Sequence, residues 1–486
     1  CSLPPQPFSS VLPVAEITWG GASEQSRLAT GRPYEKSAQV VMTPVVANLD
    51  DDNGDGLVNE RDFPEIIFLS FCDSQFTTNG VLRAIHGGGP NKGQDYFASC
   101  GAEIWRAGDP LPTTCATAVQ DCSAATINST AAIAVGDIDG DGLPEIVTIT
   151  ETRGLQIHAS DGRILLTTPG SLWISTGYGN PAPTIANLDN QGFAEVVVGR
   201  YAFSFAKDMM GNWLLQNTHS GALMSGTQGQ GPVVCIANVT GDTRQEIVAG
   251  TTAYALPAPP AGATTIADCA MFPPQTPEET AFCAGQLLVV WDGQTVNGAA
   301  AIPNAQRDGF CAVADVLGVD PVLAPSPQNP LDGVPEVVLI NEGNLLILDA
   351  ATGVLRRNLS LGVGTDGGAP NVDDFDGDGF PEIGTAFGTS YRVLDLQDPT
   401  VECPAWPNVL SDAVSLSGPQ TNPPRSPPAI ACTTDADCEA VTAGTACNKT
   451  LGTCVCQHNG WARGTEDDSS RVTGSYVFDF NGDRGA

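Results

Sequence analysis

The stretch GDIDGDGLPEIV, residues 136–147, sets Asp137, Asp139, Asp141 and Glu145 within nine residues and then runs into an apolar strand. Carboxylates this close repel one another unless a cation or the fold compensates. The pattern returns along the chain. DDFDGDGFPEIG carries Asp374, Asp376, Asp378 and Glu382 at the same offsets. ANLDNQGFAEVVVG gives Asn187, Asp189, Gln191 and Glu195, and ANVTGDTRQEIVAG gives Asn238, Thr240, Asp242 and Glu246. Two copies are stretched by insertions: one from Asn48 and Asp50 to Glu65, the other from Asp315 to Asp332 and Glu336. A seventh, FDFNGDRGA, holds Asp479, Asn481 and Asp483.

The flanks repeat too. A short apolar strand precedes each loop, with a proline four residues before the first ligand at Pro44, Pro183 and Pro370. A glutamate then leads into a β-branched strand such as EIVTIT or EVVVG, followed by paired strands with turn signals, as in LQIHASDGRILLTT and LLILDAATGVLRRNL. Each unit therefore reads as about four short antiparallel strands. Gly and Pro number 54 and 37, which fits a turn-rich all-β chain. A repeat of roughly 50 residues predicts a β-propeller, and a parallel β-helix has shorter repeats than these.

Asp at positions 1, 3 and 5 of such a loop lets alternate side chains converge, and glycine at position 6 (Gly142, Gly379) permits the sharp turn. The position-7 carbonyl, from Leu143 or Phe380, and the position-9 glutamate complete a cage of hard oxygens. That set suits Ca²⁺ better than Mg²⁺, which prefers fewer protein ligands and more water. Several calcium ions are expected, bound most tightly at Asp137 and Asp374 and more weakly at Asn187 and Asn238; the interrupted Asp315 copy is not expected to keep its geometry. DDNGDGLVNERD, residues 51–62, also fits the EF-hand loop, with Asp51, Asn53, Asp55, Asn59 and Asp62 as ligands and Leu57 lending its carbonyl. It resembles the calcium loop of dockerins, but a strand, FPEIIFLSF, follows where a helix would be needed. It reads as a calcium loop inserted in the first unit.

The units resemble the FG-GAP/VCBS repeats of integrin-α-like β-propellers over most of residues 40–400 and again at 472–486, and GGAP at 367–370 spells part of that name. The resemblance implies an all-β, seven-bladed β-propeller of four-stranded antiparallel blades, in a bacterial secreted protein or lipoprotein. The expected layout is an N-terminal arm (1–40), blades one to six (41–402), a small disulfide-rich insert (403–460) and the start of a seventh blade (461–486). Two features depart from the family pattern. The seventh motif stops at Ala486, before its closing acid, and a cysteine-rich segment separates it from the sixth. Either the chain continues, or open strand edges await pairing, in cis with LPVAEITW or in trans in a self-assembly.

Fifteen cysteines without a C-x-x-C pair point to extracellular disulfides. Cys1 matches the lipidated first residue of a mature bacterial lipoprotein, or is merely where the chain starts. The other fourteen are Cys72, Cys100, Cys115, Cys122, Cys235, Cys269, Cys283, Cys311, Cys403, Cys432, Cys438, Cys447, Cys454 and Cys456. Local pairs Cys72–Cys100, Cys115–Cys122 and Cys269–Cys283 are consistent with the spacing. The six from Cys403 onward read as an EGF-like knot, with zinc as the rival. No apolar run reaches the roughly 18 residues of a membrane span. A net charge of −34 argues against nucleic acid and anionic membranes as partners.

Catalytic signatures are missing: there is no G-x-S-x-G and no H-E-x-x-H. GVGTDG at 362–367 precedes an acidic strand, not a nucleotide-binding helix. The four histidines are scattered, and His158, in an alternating strand, reads as structural. The chain is therefore expected to be a calcium-binding adhesion, structural or surface-assembly module without catalysis. Its expected partner is a protein or polysaccharide ligand. The other reading is a calcium-dependent polysaccharide lyase on the same scaffold.

Overall fold

The structure, a computed structural model, describes residues 17–20, 31–72, 80–100, 103–111, 127–170, 181–323, 325–326, 328–361, 367–374, 380–388, 390–396, 445–448, 453–456 and 461–464. Its body is a succession of antiparallel sheets in chain order. The first has five strands: β1 (Val45–Ala47), β2 (Glu65–Ser70), β3 (Val81–His86), β4 (Asp95–Cys100) and β5 (Glu103–Arg106). The second comprises β6 (Ala134–Gly136), β7 (Glu145–Ile149), β8 (Leu155–His158) and β9 (Ile164–Thr167). The third comprises β10 (Pro183–Ala186), β11 (Glu195–Val198), β12 (Tyr201–Lys207) and β13 (Trp213–Ser220). The fourth has β14 (Cys235–Ala237), β15 (Glu246–Ala249), β16 (Thr252–Ala255) and, after helix α1 (Pro277–Cys283), β17 (Leu288–Asp292). Helix α2 (Gly293–Asn297) leads to the fifth: β18 (Phe310–Ala314), β19 (Glu336–Asn341), β20 (Asn344–Asp349) and β21 (Leu355–Ser360).

The sixth sheet is built differently. β22 (Asn371–Asp373), β23 (Glu382–Phe387) and β24 (Ser390–Leu394) come in order. A separate hairpin of β25 (Thr445–Asn448) and β26 (Thr453–Cys456) intervenes, and β27 (Trp461–Gly464) then pairs with β24. Residues 461–464, expected to open a seventh unit, thus complete the sixth. The cysteine-rich segment hides this in the sequence because it sits between the third and fourth strands of one sheet. The seventh motif (Asp479, Asn481, Asp483) and Cys1 lie outside the described residues.

One register unites the six sheets. The residue just before the first ligand pairs with the closing glutamate: Ala47↔Glu65, Gly136↔Glu145, Ala186↔Glu195, Ala237↔Glu246, Ala314↔Glu336 and Asp373↔Glu382. Each of these six acidic motifs connects the two strands of the hairpin that opens its sheet. The insertions in the first and fifth copies lie inside that loop and leave the pairing unchanged.

The second strand of each sheet is the most apolar and is buried along nearly its whole length, as in EIVTI and EVVLIN. Shared apolar clusters join each sheet to the next. Ile67, Leu82 and Phe97 pack with Ile133 and Ile146; Val147 and Ile157 with Val196, Phe203 and Trp213. Val197 and Ala202 meet Ile247 and Tyr254, and Val248 and Trp291 meet Val337 and Leu346. Ile340 and Ile347 pack against Ile383 and Phe387. At roughly 25 cal/mol per Å² of apolar surface removed from water, these seams are the main stabilising term.

Disulfides reinforce two places. Cys269–Cys283 forms as expected and staples the excursion that carries α1. Cys235–Cys311 joins β14 to β18, the opening strands of the fourth and fifth sheets. Cys72 and Cys100 are disulfide-bonded as well. Cys115, Cys122, Cys403, Cys432 and Cys438 lie outside the described residues. Cys447 on β25 stands opposite Cys454 on β26, and Cys456 opposite Thr445.

Candidate cation loops

The opening hairpin loops share a lock made from two loop positions. The closing glutamate begins the second strand and is buried: Glu65, Glu145, Glu195, Glu246, Glu336 and Glu382 are all under a tenth exposed. In five sheets its Oε2 accepts the backbone N–H of loop position 2: from Leu49 at 3.0 Å, Ile138 at 2.9 Å, Leu188 at 3.0 Å, Val239 at 2.9 Å and Val316 at 3.0 Å. Those five position-2 side chains are apolar and almost fully buried. A hydrophobic plug and a carboxylate–amide bond thus hold each loop over its hairpin. A Leu, Ile or Val between the first and third loop positions recurs in the sequence and is the local signal for this lock.

Burial raises the carboxyl groups of Glu65, Glu145, Glu195 and Glu336 to about 7, against the opposing pull of the position-2 amide. Neighbouring loop acids raise them further. Each site thus favours either a proton or a cation over a bare charge.

The second sheet presents the fullest site. Carboxylate oxygens of Asp137, Asp139 and Glu145 lie within 4.8 Å of one another, the one such acidic or His/Cys group among the described residues. Asp137 shapes the turn: Oδ1 accepts from Gly140 at 2.7 Å and Asp141 at 3.2 Å, and Oδ2 from Gly142 at 2.9 Å. Asp141 accepts from the Leu143 amide at 2.9 Å. Gly142, at φ +89°, adopts the left-handed turn that the motif requires of position 6. One neighbour was invisible in the sequence. Lys207, at the end of β12 in the third sheet, pairs with Asp139, and its ammonium lies 5.3 Å from the Trp213 ring centroid. The Asp139 bond raises the lysine's pKa.

The interrupted fifth copy corrects the expectation drawn from its insertion. Asp315 accepts from Gly333 at 2.7 Å, Asp332 from Val334 at 2.8 Å, and Glu336 from Val316 and Leu317. These bonds repeat those of Asp137, Asp141 and Glu145. The insert leaves and re-enters the hairpin without moving its ends.

The other sites differ in how far they satisfy themselves. Gln191 donates its amide to Asn187 and Asp189. In the fourth sheet Thr240 donates to the second oxygen of Glu246, and Asn238 donates its side-chain amide to the Asp242 carbonyl. That loop therefore has the fewest free acceptors. In the first sheet, Asp51 accepts from Gly54, Asp55 and Gly56, Asn53 from Asp55, Asp55 from Leu57, and Asp62 from Asn53 and Asn59. The inserted EF-like loop is thus an exposed chain of Asx turns, and a strand follows it, as read from the sequence. Asp374 directly follows β22, and Glu382 begins β23 two residues after Phe380; Asp376 and Asp378 lie outside the described residues.

A cation fits these loops on two counts. The donors are hard oxygens. Buried oxygens of Asn48, Asp50 and Asp315 (Oδ1 in each) also have no hydrogen-bond partner, an arrangement that costs free energy until something positive meets it. The histidines hold to structural roles where expected: His158 is fully buried, its Nδ1 3.1 Å from the Gly162 carbonyl.

No family model matches the chain, and no curated protein does. Among solved structures it is similar to the V. cholerae biofilm matrix protein Bap1, at 18% identity and a TM-score of 0.42 over 70% of this chain. The chain spans 43% of the length of Bap1. A lectin from Agrocybe aegerita that recognises non-reducing terminal N-acetylglucosamine aligns at 14% identity and a TM-score of 0.35, over 72% of this chain and 76% of the lectin. The Photorhabdus luminescens Tc holotoxin pore aligns at 13% identity and a TM-score of 0.24, over 76% of this chain and 16% of that one. These neighbours are β-rich, and at such values the likeness says nothing of what this chain binds. No helix among the described residues is long and apolar enough to cross a membrane.

Proposed function

We propose that this chain is an extracellular β-propeller of the FG-GAP/VCBS kind. Its hairpin loops bind calcium, and its surface serves adhesion or assembly without catalysis. The observation that carries the reading is the constant register of the six acidic hairpins, with the buried glutamate locked to loop position 2 in five of them. Repeated sheets that each pack on the next support closure into a ring of seven blades. Disulfides support an oxidising compartment.

In this reading calcium neutralises each acidic loop and pins the opening hairpin. The glutamate would give one oxygen to the backbone and the other to the ion. The Asp137 loop would bind tightest and the Asn238 loop weakest. Lys207 would withdraw from Asp139 as the ion enters.

Isothermal titration of chelator-stripped protein with calcium, followed by thermal melting, tests this. More than one ion should bind per chain, and melting should rise by several degrees. A protein that binds no calcium and melts identically in calcium and in chelator would sink the proposal.

A further inference from the structure

We propose that the cleft between the third and fourth sheets is a binding pocket for one neutral sugar residue, with His219 at its floor. The cavity is about 440 Å³, within the roughly 300–1,000 Å³ of small-molecule sites. Its lining is drawn from the acidic loop between β10 and β11, from β11–β13 and from the excursion between β16 and β17.

His219 is 1% exposed. The Phe282 backbone lies beside the ring, yet neither Nδ1 nor Nε2 makes a hydrogen bond of normal geometry. A buried imidazole with both nitrogens unmet is rare, and an unmet buried group calls for an external partner. Among the described residues, no two further acids, cysteines or histidines stand close enough to make this histidine a metal ligand.

The backbone is shaped to aim the site. β13 carries a bulge: Ser204 pairs with Asn217 and Phe205 with Leu215, leaving Gln216 unpaired. Before the bulge, Trp213 packs into the seam with the second sheet. After it, Asn217 and His219 line the cleft toward the fourth. Bulges of this kind re-aim side chains. Asn217 holds the far wall in place, donating to the Thr264 carbonyl at 2.9 Å and accepting from the Ile266 amide at 2.8 Å.

The lining selects the ligand. A neutral imidazole offers one donor and one acceptor, the pair that a hydroxyl matches in both directions. Phe282, Leu256 and Pro259 supply apolar surface for a sugar ring. Asp189 and Glu195 line the same space, and Lys207, its one cation, is held by Asp139. Anionic ligands are therefore repelled, as they are by the chain's net charge of −34. The inference rests on the reading of this chain as a ligand-binding surface module, and the rejection of anions by Asp189 and Glu195 is read in chelator, because a cation in the third loop would offset both charges.

Saturation-transfer NMR with a panel of neutral methyl glycosides, in calcium and again in chelator, tests it. At least one glycoside should bind, and His219→Phe should weaken it at least tenfold. Pro259→Trp, at the exposed rim, should do the same by blocking entry, and it decides the matter if the His219 variant fails to fold. Methyl glucuronoside should bind at least tenfold more weakly than its neutral counterpart. Solvent alone in the pocket, seen as no transfer to any glycoside, would overturn the proposal. So would variants that bind as the wild type does, or equal binding of the uronoside. Failure of the calcium reading shows separately, as melting that ignores calcium.

Discussion

Glu145 commits one carboxylate oxygen to the Ile138 amide and has a second for the cluster with Asp137 and Asp139. The two roles separate by substitution. In Glu145→Gln the amide oxygen still accepts from Ile138 but the charge is gone. Calcium-free melting should hold or rise slightly, while calcium affinity at that loop falls about tenfold or more, about 1.4 kcal/mol. Glu145→Ala removes both roles and should cost about 1–3 kcal/mol even without calcium, since a buried amide loses its acceptor. Melting curves of both variants with and without calcium check this.

Two kinds of buried titrating group oppose each other. The glutamates raised to about 7 favour the fold most below about 4.5, and that contribution is lost as pH rises through 7. His158 is lowered to about 4 by burial, so the unfolded chain takes up its proton first. Its contribution is complete above about 6.5 and is lost as pH falls toward 4. Relative to His158→Gln, the wild type should lose up to about 3 kcal/mol between pH 7 and pH 4. Denaturant melts of the pair across that window measure it. At this scale the acids and His158 were legible, because charge spacing and strand alternation are local. Lys207 was not, because it reaches Asp139 from another sheet. The role of His219 was not legible either, because its unmet nitrogens arise only from the packing around it.

At the scale of elements, the turn between β8 and β9 bears on the first sheet. Gly162 has φ +83°, and a Cβ there would fall 2.5 Å from the Phe97 ring. Gly162→Ala combines backbone strain with overpacking and should destabilise by about 2–4 kcal/mol. The Cys235–Cys311 bridge encloses a sequence separation of 76 and ties neighbouring opening strands. Replacing both cysteines by alanine should cost about 2–5 kcal/mol. Chemical denaturation of each variant reads both numbers. The strands were visible in the sequence through their period-2 runs and turn residues. The intact fifth loop was not: an insertion looks like a break, and only the Ala314↔Glu336 pairing shows that it leaves the hairpin ends together.

At the scale of the whole molecule, the surface carries far more acid than base. Any salt screens such a surface, so a rise in melting with calcium needs a control. Calcium should stabilise more than magnesium, and magnesium more than sodium chloride of equal ionic strength. Equal shifts in all three would mean screening and not site binding. The succession of sheets was readable from the repeat, but the assignment of Trp461–Gly464 was not, because nothing local in WARG names its partner across the insert.

That partner waits for synthesis to deliver it. β24 pairs on its outer side with β27, and residues 395–460 separate the two. At about 5–20 residues per second a ribosome needs roughly 3–13 s to make that interval. For those seconds the partner strand for this outer edge of β24 has not yet been made. The order of emergence, and not only the final contacts, decides what this edge meets first: its own fourth strand, a chaperone, or another nascent chain.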